Sequence, residues 1–112
     1  MTTREASSIQ ENRVAKKLGG VVNSNSGAGN FNKGDIRIPD IAMTIECKTC
    51  VKPKDSFSIK KDWLVKNKNE AFITRSNYTC IAFNFDCEDK HDYYVIDDNL
   101  MQFLVEKLKE NQ

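Results

Sequence analysis

The sequence predicts an α/β fold with the element order α-β-β-β-α-β-β-α, and three observations support this prediction. The length of 112 residues suits a single domain with one core, residues 1–112. Two neighbouring segments in the first half alternate polar and apolar residues as strands do, and both ends of the chain repeat apolar residues at helical spacing. With 39% hydrophobic and 29% charged residues, the composition is that of a folded globular protein rather than a disordered or collagenous one.

A first helix is predicted over residues 8–18. Ser8 lies three residues before Glu11, which is the spacing of a capping box, and apolar residues follow at helical spacing. Gly19-Gly20 then ends the helix. This assignment puts Glu11 near the helix start and leaves Glu5 outside the helix.

The next segment predicts three strands and one loop. Val21-Val22 starts a short strand, and residues 23–34 are rich in Gly, Asn and Ser, as loops are. Residues 35–38 and 41–49 both alternate, with Pro39-Asp40 between them, so we expect an antiparallel hairpin. In its second strand, one face carries Ile41, Met43, Ile45 and Cys47, and the other carries Ala42, Thr44, Glu46 and Lys48.

The second half predicts a helix, two strands and a final helix. Residues 58–74 carry apolar side chains among lysines at a weak helical spacing, and YTCIAFNF at 78–85 is rich in β-branched and aromatic residues. A second strand, YYVID, follows at 93–97. Asp97 or Asp98 caps the last helix, whose apolar stripe consists of Leu100, Phe103, Leu104 and Leu108.

The sequence has no pattern typical of a membrane span or a signal peptide, and this indicates the cellular compartment and the redox state of the cysteines. No apolar stretch approaches the roughly 18 residues of a membrane span, and the polar start MTTREASSIQEN lacks a signal-peptide core. We therefore expect a cytoplasmic protein without a membrane partner, whose four cysteines are reduced thiols. Cys47 and Cys50 form a CxxC, but in a strand they point to opposite faces, and Cys80 and Cys87 form no second CxxC, which argues against a zinc site.

Basic residues are concentrated in the middle of the chain. The net charge is only +1, but residues 47–75 contain eight basic and three acidic residues, so this segment carries +5 and the rest −4. A solvated helix face and a surface that contacts a polyanion are both compatible with this segment.

Three charged residues cluster around the predicted hairpin. Glu46 and Lys48 are two residues apart on one strand, so their side chains leave the same face with α-carbons about 7 Å apart. Asp35 opens the neighbouring strand, and antiparallel pairing would bring it beside Glu46. Two carboxylates at a strand end suit Mg²⁺, and a neighbouring lysine could orient or deprotonate an attacking water. The alternative is a set of exposed polar residues with a weak surface ion pair.

These residues also resemble a known family. Glu11, the SGAG at 26–29, Gly34-Asp35 and Glu46-Cys47-Lys48 resemble, in this order, motifs of the PD-(D/E)xK nuclease superfamily, in particular the archaeal and phage Holliday junction resolvases. The similarity continues through FSIKKDWLVKNKNEAF (57–72) and covers about residues 7–85. It implies a restriction-endonuclease-like core with a central mixed sheet flanked by helices. It also implies Mg²⁺-dependent cleavage of DNA, with Mn²⁺ as a substitute, by a homodimer.

The resemblance implies a role for each motif residue. Asp35 and Glu46 would bind the metal, Lys48 would lie near the attacking water, and Glu11 would complete the acidic set, with Glu5 as the alternative. Gly34 stands where the family motif has proline, and a Pro-Asp pair occurs only at 39–40. Asp35 is preferred because Asp40 would begin the run that ends in Glu46 and leave no hairpin partner between them.

DNA contacts are predicted in two loops and at the start of the second helix. Lys60 and Lys61 would contact phosphates, and the 26–33 segment would close over the DNA backbone or serve as a plain linker. Trp63 is assigned to the core rather than to base stacking, and His91, in a charged turn, is expected to be exposed. The predicted DNA-binding residues are Ser26, Gly27, Lys33, Lys52, Lys54, Lys60 and Lys61.

The leading functional prediction is a structure-selective endonuclease that resolves DNA junctions, formed by a single nuclease domain. The first alternative is a nicking, repair or restriction-like nuclease acting on flaps, ends or duplex DNA. The second is a non-enzymatic DNA-binding module with the same fold. The expected setting is the cytoplasm of a bacterium or archaeon, with the protein encoded by the cell, a phage or a prophage.

Overall fold

A computed structural model describes residues 1–23 and 35–112. A short 3₁₀ turn, Pro39–Ile41, joins the second and third strands. No helix in these two ranges is long and apolar enough to cross a membrane. The helices and strands are α1 (Thr3–Leu18), β1 (Val21–Val22), β2 (Ile36–Ile38), β3 (Met43–Cys47), α2 (Lys61–Thr74), β4 (Tyr78–Phe83), β5 (Tyr93–Val95) and α3 (Asp98–Glu110).

The five strands form one mixed sheet in the order β1-β2-β3-β4-β5. The β1/β2, β2/β3 and β4/β5 pairs are antiparallel, and the central β3/β4 pair is parallel. Because parallel neighbours need a crossover connection, α2 leads from the end of β3 back to the start of β4. The predicted α/β class, with strands paired in one sheet and three helices, is confirmed in these residues.

Helix α1 begins five residues earlier than the sequence predicts. Thr2 is its N-cap: the Thr2 side chain accepts a hydrogen bond from the Glu5 backbone N–H at 3.1 Å. Thr2 therefore takes the N-cap role that the prediction assigned to Ser8, and Glu5 accepts a hydrogen bond from the Thr2 hydroxyl. As a correction, Glu5 lies in the first turn of α1 and Glu11 in its middle.

The main core lies between α1 and one face of the sheet. Val14 and Ala15 of α1 are buried against the strand residues Ile36, Ile38, Ile45, Cys80 and Ala82. Because side chains alternate along a strand, the neighbours of these core residues point to the other face. There, Ile81 of β4 and Ala71 of α2 are buried, and Lys66 and Glu70 of α2 act electrostatically on Glu46.

Strand β3 and helix α2 are both shorter than predicted. Strand β3 ends at Cys47, so Lys48 and Cys50 follow it in the connection to α2. Helix α2 starts at Lys61 with Lys60 as an N-cap that makes no side-chain capping bond. Residues 58–60, which the sequence assigned to this helix, lie outside it, although Ser58 is a residue type that often caps helices.

Candidate active site

Asp35 and Glu46 lie opposite each other at one end of the β2/β3 pair. The register pairs Ile36 with Ile45, and the Asp35 backbone N–H donates to the Ile45 carbonyl at 3.1 Å. The Cys47 backbone N–H donates to Asp35 Oδ2 at 2.8 Å, which fixes the orientation of the Asp35 carboxylate. The predicted proximity of Asp35 and Glu46 is therefore present in the fold.

Lys48 lies between a carboxylate and an aromatic ring. Its Nζ is 3.9 Å from Glu46 Oε1 and 4.4 Å from the centre of the Trp63 ring, within cation–π range. The Lys48 backbone N–H donates to the Ala82 carbonyl at 2.8 Å, which extends the parallel pairing beyond the end of β3. The Lys48 and Glu46 side chains are 29% and 20% exposed, so a solvent-borne ligand can reach both.

The carboxyl groups repel one another across this edge of the sheet. Burial and then the charge of Asp35 raise the pKa of Glu46 to about 7, although Lys48 acts against this shift. Burial and then Asp35 likewise raise the pKa of Glu11 to about 7. Burial raises the pKa of Asp35, and the Cys47 N–H and the Lys48 charge offset part of that rise. A cation placed among these groups would relieve the repulsion.

The donor set fits a magnesium ion better than a metal that needs a full protein cage. Mg²⁺ is bound through one or two carboxylates together with waters and substrate phosphates, and Asp35 and Glu46 supply two carboxylates on adjacent strands. Within residues 1–23 and 35–112, no three His, Cys, Asp or Glu side chains are grouped closely enough to hold a metal. The charge of Asp35 raises the pKa of Glu11, and the role of Glu11 as a third ligand stays a prediction.

The rejected alternatives for the acidic residues lie elsewhere. Asp40 is exposed on the 3₁₀ turn, at the end of the hairpin opposite to Glu46. Glu5 is exposed and accepts a hydrogen bond from the Thr2 hydroxyl at 3.1 Å. Neither residue is placed beside Glu46.

The predicted DNA-binding lysines of the described ranges are exposed. Lys52 and Lys54 line an open cavity together with Lys48, and Lys60 Nζ is 5.9 Å from the Trp63 ring centre. Lys61 is exposed in the first turn of α2. The other three predicted contacts, Ser26, Gly27 and Lys33, lie outside the described residues.

A buried polar network behind the site was not predicted. Gln10 of α1 is 1% exposed, and its Nε2 donates to the Lys48 carbonyl at 2.9 Å and to Asp92 Oδ1 at 3.2 Å. Asp92 also accepts from Arg13 Nε and Nη2, both at 2.8 Å. The sequence does contain one signal of this network. Gln10 is a polar residue at helical spacing between Ala6 and Val14, on the face that α1 buries.

The thiols and the histidine take no part in the acidic edge as ligands. All four cysteines are free, as expected for reduced thiols. Cys50 lies beyond the end of β3 and is buried, with Sγ 3.9 Å from the Asn84 carbonyl oxygen. His91 is exposed, as predicted, and its ring contacts the edge of Tyr93.

The edge of the sheet therefore combines two facing carboxylates, a lysine held between one of them and an aromatic ring, and exposed lysines nearby. This combination can bind a divalent cation and a negatively charged ligand at the same place. Comparison of the chain with models of protein families, with curated proteins and with solved structures gives no match.

Proposed function

We propose that the protein is a Mg²⁺-dependent endonuclease that hydrolyses phosphodiester bonds of branched DNA, with the four-way junction as its substrate. One observation carries the proposal: Asp35 faces Glu46 across adjacent strands, and the Lys48 ammonium lies 3.9 Å from Glu46. Exposed surface residues would not show the partial burial that raises the pKa of both carboxyls, or the further rise that the Asp35 charge causes in the pKa of Glu46. A cation bound between Asp35 and Glu46 would account for their partial burial and would relieve the repulsion at Glu46.

Each side chain has a distinct role in this proposal. Asp35 and Glu46 would hold the Mg²⁺, or Mn²⁺ in its place. When bound, the cation would stabilise negative charge on the phosphate in the transition state. The Lys48 Nζ would donate a hydrogen bond to the attacking water or to a phosphate oxygen, and Glu46 and Trp63 limit where that ammonium can move. Glu11 would add negative potential beside Asp35.

The lysines around the site would bind the DNA backbone. Lys52, Lys54, Lys60 and Lys61 are exposed and follow Lys48 in the connection to α2 and its first turn. Contacts from lysine to phosphate position DNA without reading its sequence. This kind of surface suits an enzyme that recognises the shape of its substrate.

A second copy of the chain would provide the second cut. One chain carries one acidic edge, so paired incisions across a junction need two chains, and twofold symmetry is the commonest way to arrange them. Helix α3 offers a surface for this contact, because Leu104 and Leu108 are 41% and 65% exposed on its apolar face. Phe72 and Phe103 line one cavity beside that face.

An antiparallel pair of α3 helices would bring opposite charges near one another. Asp98 lies in its first turn, and Lys107 and Lys109 lie in its last turn. With a twofold axis perpendicular to α3, the two helices run antiparallel, and Asp98 of each copy would lie near the turn of the other that carries Lys107 and Lys109, of which Lys107 also pairs with Glu110. The rings of Phe72 and Phe103 expose on the order of 200 Å² together, a substantial part of the roughly 800 Å² that each partner buries in a typical interface.

Removal of one ligand charge tests the assignment. We expect Asp35→Asn or Glu46→Gln to abolish Mg²⁺-dependent cleavage while junction binding stays equal or becomes tighter, because the variant loses the cation site and repels phosphate less. Cleavage is read on denaturing gels and binding by fluorescence anisotropy. Asp40→Asn, on the exposed turn at the far end of the hairpin, is the matched control and should cleave normally. Full activity of either test variant would reject the metal assignment.

A further inference from the structure

An open cavity of about 650 Å³ lies directly beside the candidate active site and includes Lys48. We call it the Trp63 groove. Its size falls in the range of pockets for small organic ligands, about 300–1,000 Å³, and corresponds to one or two nucleotides. The lining side chains that matter here are Lys48, Lys52, Lys54, Phe57, Ser58 and Trp63.

Two aromatic rings form the apolar part of the Trp63 groove. The Trp63 and Phe57 ring centres are 6.3 Å apart at an interplanar angle of 53°, so the two rings do not stack face to face. Phe57 stacks on Phe83 of β4 at 5.1 Å, which anchors this wall to the sheet. Both Phe57 and Trp63 are only partly buried. A flat ligand entering the groove therefore meets aromatic surface held in place by the fold.

The rest of the groove lining is basic, and the 49–54 segment that carries it is hydrogen-bonded to the β4–β5 connection. The Lys54 backbone N–H donates to the Phe85 carbonyl at 2.8 Å, and the Thr49 hydroxyl donates to Asn84 Oδ1 at 2.9 Å. No carboxylate of the described part of the chain lies within ion-pair distance of the Lys52 or Lys54 ammonium. Both ammonium groups can therefore bind an external anion.

We propose that the Trp63 groove binds an unpaired nucleotide of the DNA substrate, with the base against Trp63 and Phe57 and the phosphates against Lys52 and Lys54. Aromatic side chains in a basic groove are the standard chemistry of single-strand binding. A base inside a duplex is stacked within its own strand and cannot reach an indole ring. The groove would thus select DNA with an unpaired nucleotide next to the scissile phosphate, as at a flap or at a junction branch point whose terminal base pair has opened.

This inference rests on the proposed nuclease function and specifies its substrate. It also changes the role of Trp63, which the sequence assigned to the core. The Trp63 indole would contact the Lys48 ammonium and also a base of the substrate. The same side chain would thus contribute to substrate recognition and to the positioning of Lys48.

The fluorescence of Trp63 tests the inference, because it is the only tryptophan in the chain. The inactive Glu46→Gln chain is titrated with oligothymidylate, with an abasic oligonucleotide of the same length, and with a blunt duplex. We expect saturable quenching by oligothymidylate and little quenching by the other two. Equal quenching by the abasic strand, or binding of oligothymidylate without any change in fluorescence, would overturn the assignment.

Variants separate base contact from general electrostatic attraction. Trp63→Leu should weaken oligothymidylate binding about tenfold by anisotropy, as expected for the loss of one stacked base, and Trp63→Phe should retain most of the affinity. Val65→Ala, an exposed position on the same helix, is the control and should bind normally. If circular dichroism shows that Trp63→Leu is unfolded, Trp63→Phe and Lys52→Ala with Lys54→Ala provide the comparison. Unchanged affinity in every folded groove variant would reject the proposal.

Failure of the inference differs from failure of the proposed function. Binding to the groove is measured without catalysis, so quenching by oligothymidylate in a protein whose wild type cleaves no DNA would reject only the nuclease function. Junction cleavage by the wild type, together with equal quenching by the abasic strand, would reject only the groove assignment.

Discussion

Lys48 shows how a charged residue is held at the end of a buried strand. Its ammonium lies between the Glu46 carboxylate and the Trp63 ring, and its backbone is tied to Ala82 and, through Gln10, to α1. A side chain that acts on a reacting group must be held in position, and these contacts restrict both the backbone and the side chain of Lys48. Glu46 near the end of β3 and Lys48 just beyond it are thus held close together, and the Lys48 charge offsets part of the effect of burial on Glu46.

Asp92 should stabilise the fold in a pH-dependent way. Its burial raises its pKa, but hydrogen bonds from Arg13, Asn84 and Gln10 outweigh burial, so the net pKa lies below the ordinary value. Asp92→Asn should lower the free energy of unfolding at pH 7 by about 3 kcal/mol, because Arg13 loses its buried partner.

The pH range of this effect follows from the direction of the shift. Because the folded-state pKa is depressed, the contribution of Asp92 is complete above its unfolded-state pKa of about 3.9 and is lost as the pH falls through the folded-state value. Urea unfolding of the wild-type and Asp92→Asn proteins at pH 7 and near pH 2.5 measures this contribution to the free energy of unfolding. A wild-type advantage of equal size at both values would contradict the assigned role.

The residues of the site divide into those that local pattern predicts and those that it cannot. Glu46 and Lys48 share a face through their spacing of two, and the hairpin around Pro39-Asp40 brings Asp35 to Glu46. The contact of Gln10 with Asp92 joins residues 82 apart in sequence, and no periodicity or motif connects them. Long-range polar contacts of this kind depend on how α1 packs on the sheet.

The helices and strands lie where periodicity predicts them, but their ends are set by capping. Helix α1 starts at Thr3 because the Thr2 side chain, which precedes the apolar pattern, accepts a hydrogen bond from the Glu5 N–H as an N-cap. Helix α3 starts at Asp98 because the Asp97 side chain accepts from the Leu100 N–H at 2.9 Å, as one of the two predicted caps. Apolar periodicity locates the middle of a helix, and single side chains at its termini decide its length.

The first turn of α2 should contribute electrostatically to DNA binding. Lys60→Ala with Lys61→Ala should weaken binding and lower the salt dependence of the binding constant by roughly 0.9 for each phosphate contact that is lost. Binding of a junction is measured by anisotropy across a series of salt concentrations. Lys16→Ala with Lys17→Ala removes the same charge from the last turn of α1 and should leave the slope unchanged. Equal slopes for wild type and the α2 variant would place that turn away from DNA.

The whole chain combines a nearly neutral net charge with a basic middle segment. Residues 47–75 carry +5 and include the connection and helix that follow Lys48, while the rest of the chain carries −4. The sequence alone could not show that Lys66 of this segment lies near Glu46, because this proximity depends on how α2 packs across the sheet. It also could not show that the apolar stripe of α3 stays largely exposed, since only Leu100 of that helix is buried.

The exposed face of α3 predicts the oligomeric state. Leu104→Glu with Leu108→Glu should convert the proposed dimer to a monomer, because four carboxylates would enter the proposed α3 interface. Sedimentation velocity measures the mass, and Glu106→Gln, which leaves the apolar stripe intact, is the control. The variant should still nick single strands of a junction but should fail at paired incision. A wild-type chain that is monomeric at all concentrations would contradict the prediction.

Incubation of the wild-type protein and Mg²⁺ with a four-way junction, a flap and a linear duplex of matched sequence tests the central claim most directly. Products are resolved on denaturing gels, with EDTA and Glu46→Gln as controls. The Asp35–Glu46–Lys48 edge and the Trp63 groove predict cuts at branch points where a nucleotide is unpaired or can become unpaired, so the junction and the flap should be cut, the duplex only weakly, and nothing in either control. No cleavage of any substrate, or cleavage that persists in EDTA or in Glu46→Gln, would contradict the assignment of this edge as a metal-dependent nuclease site.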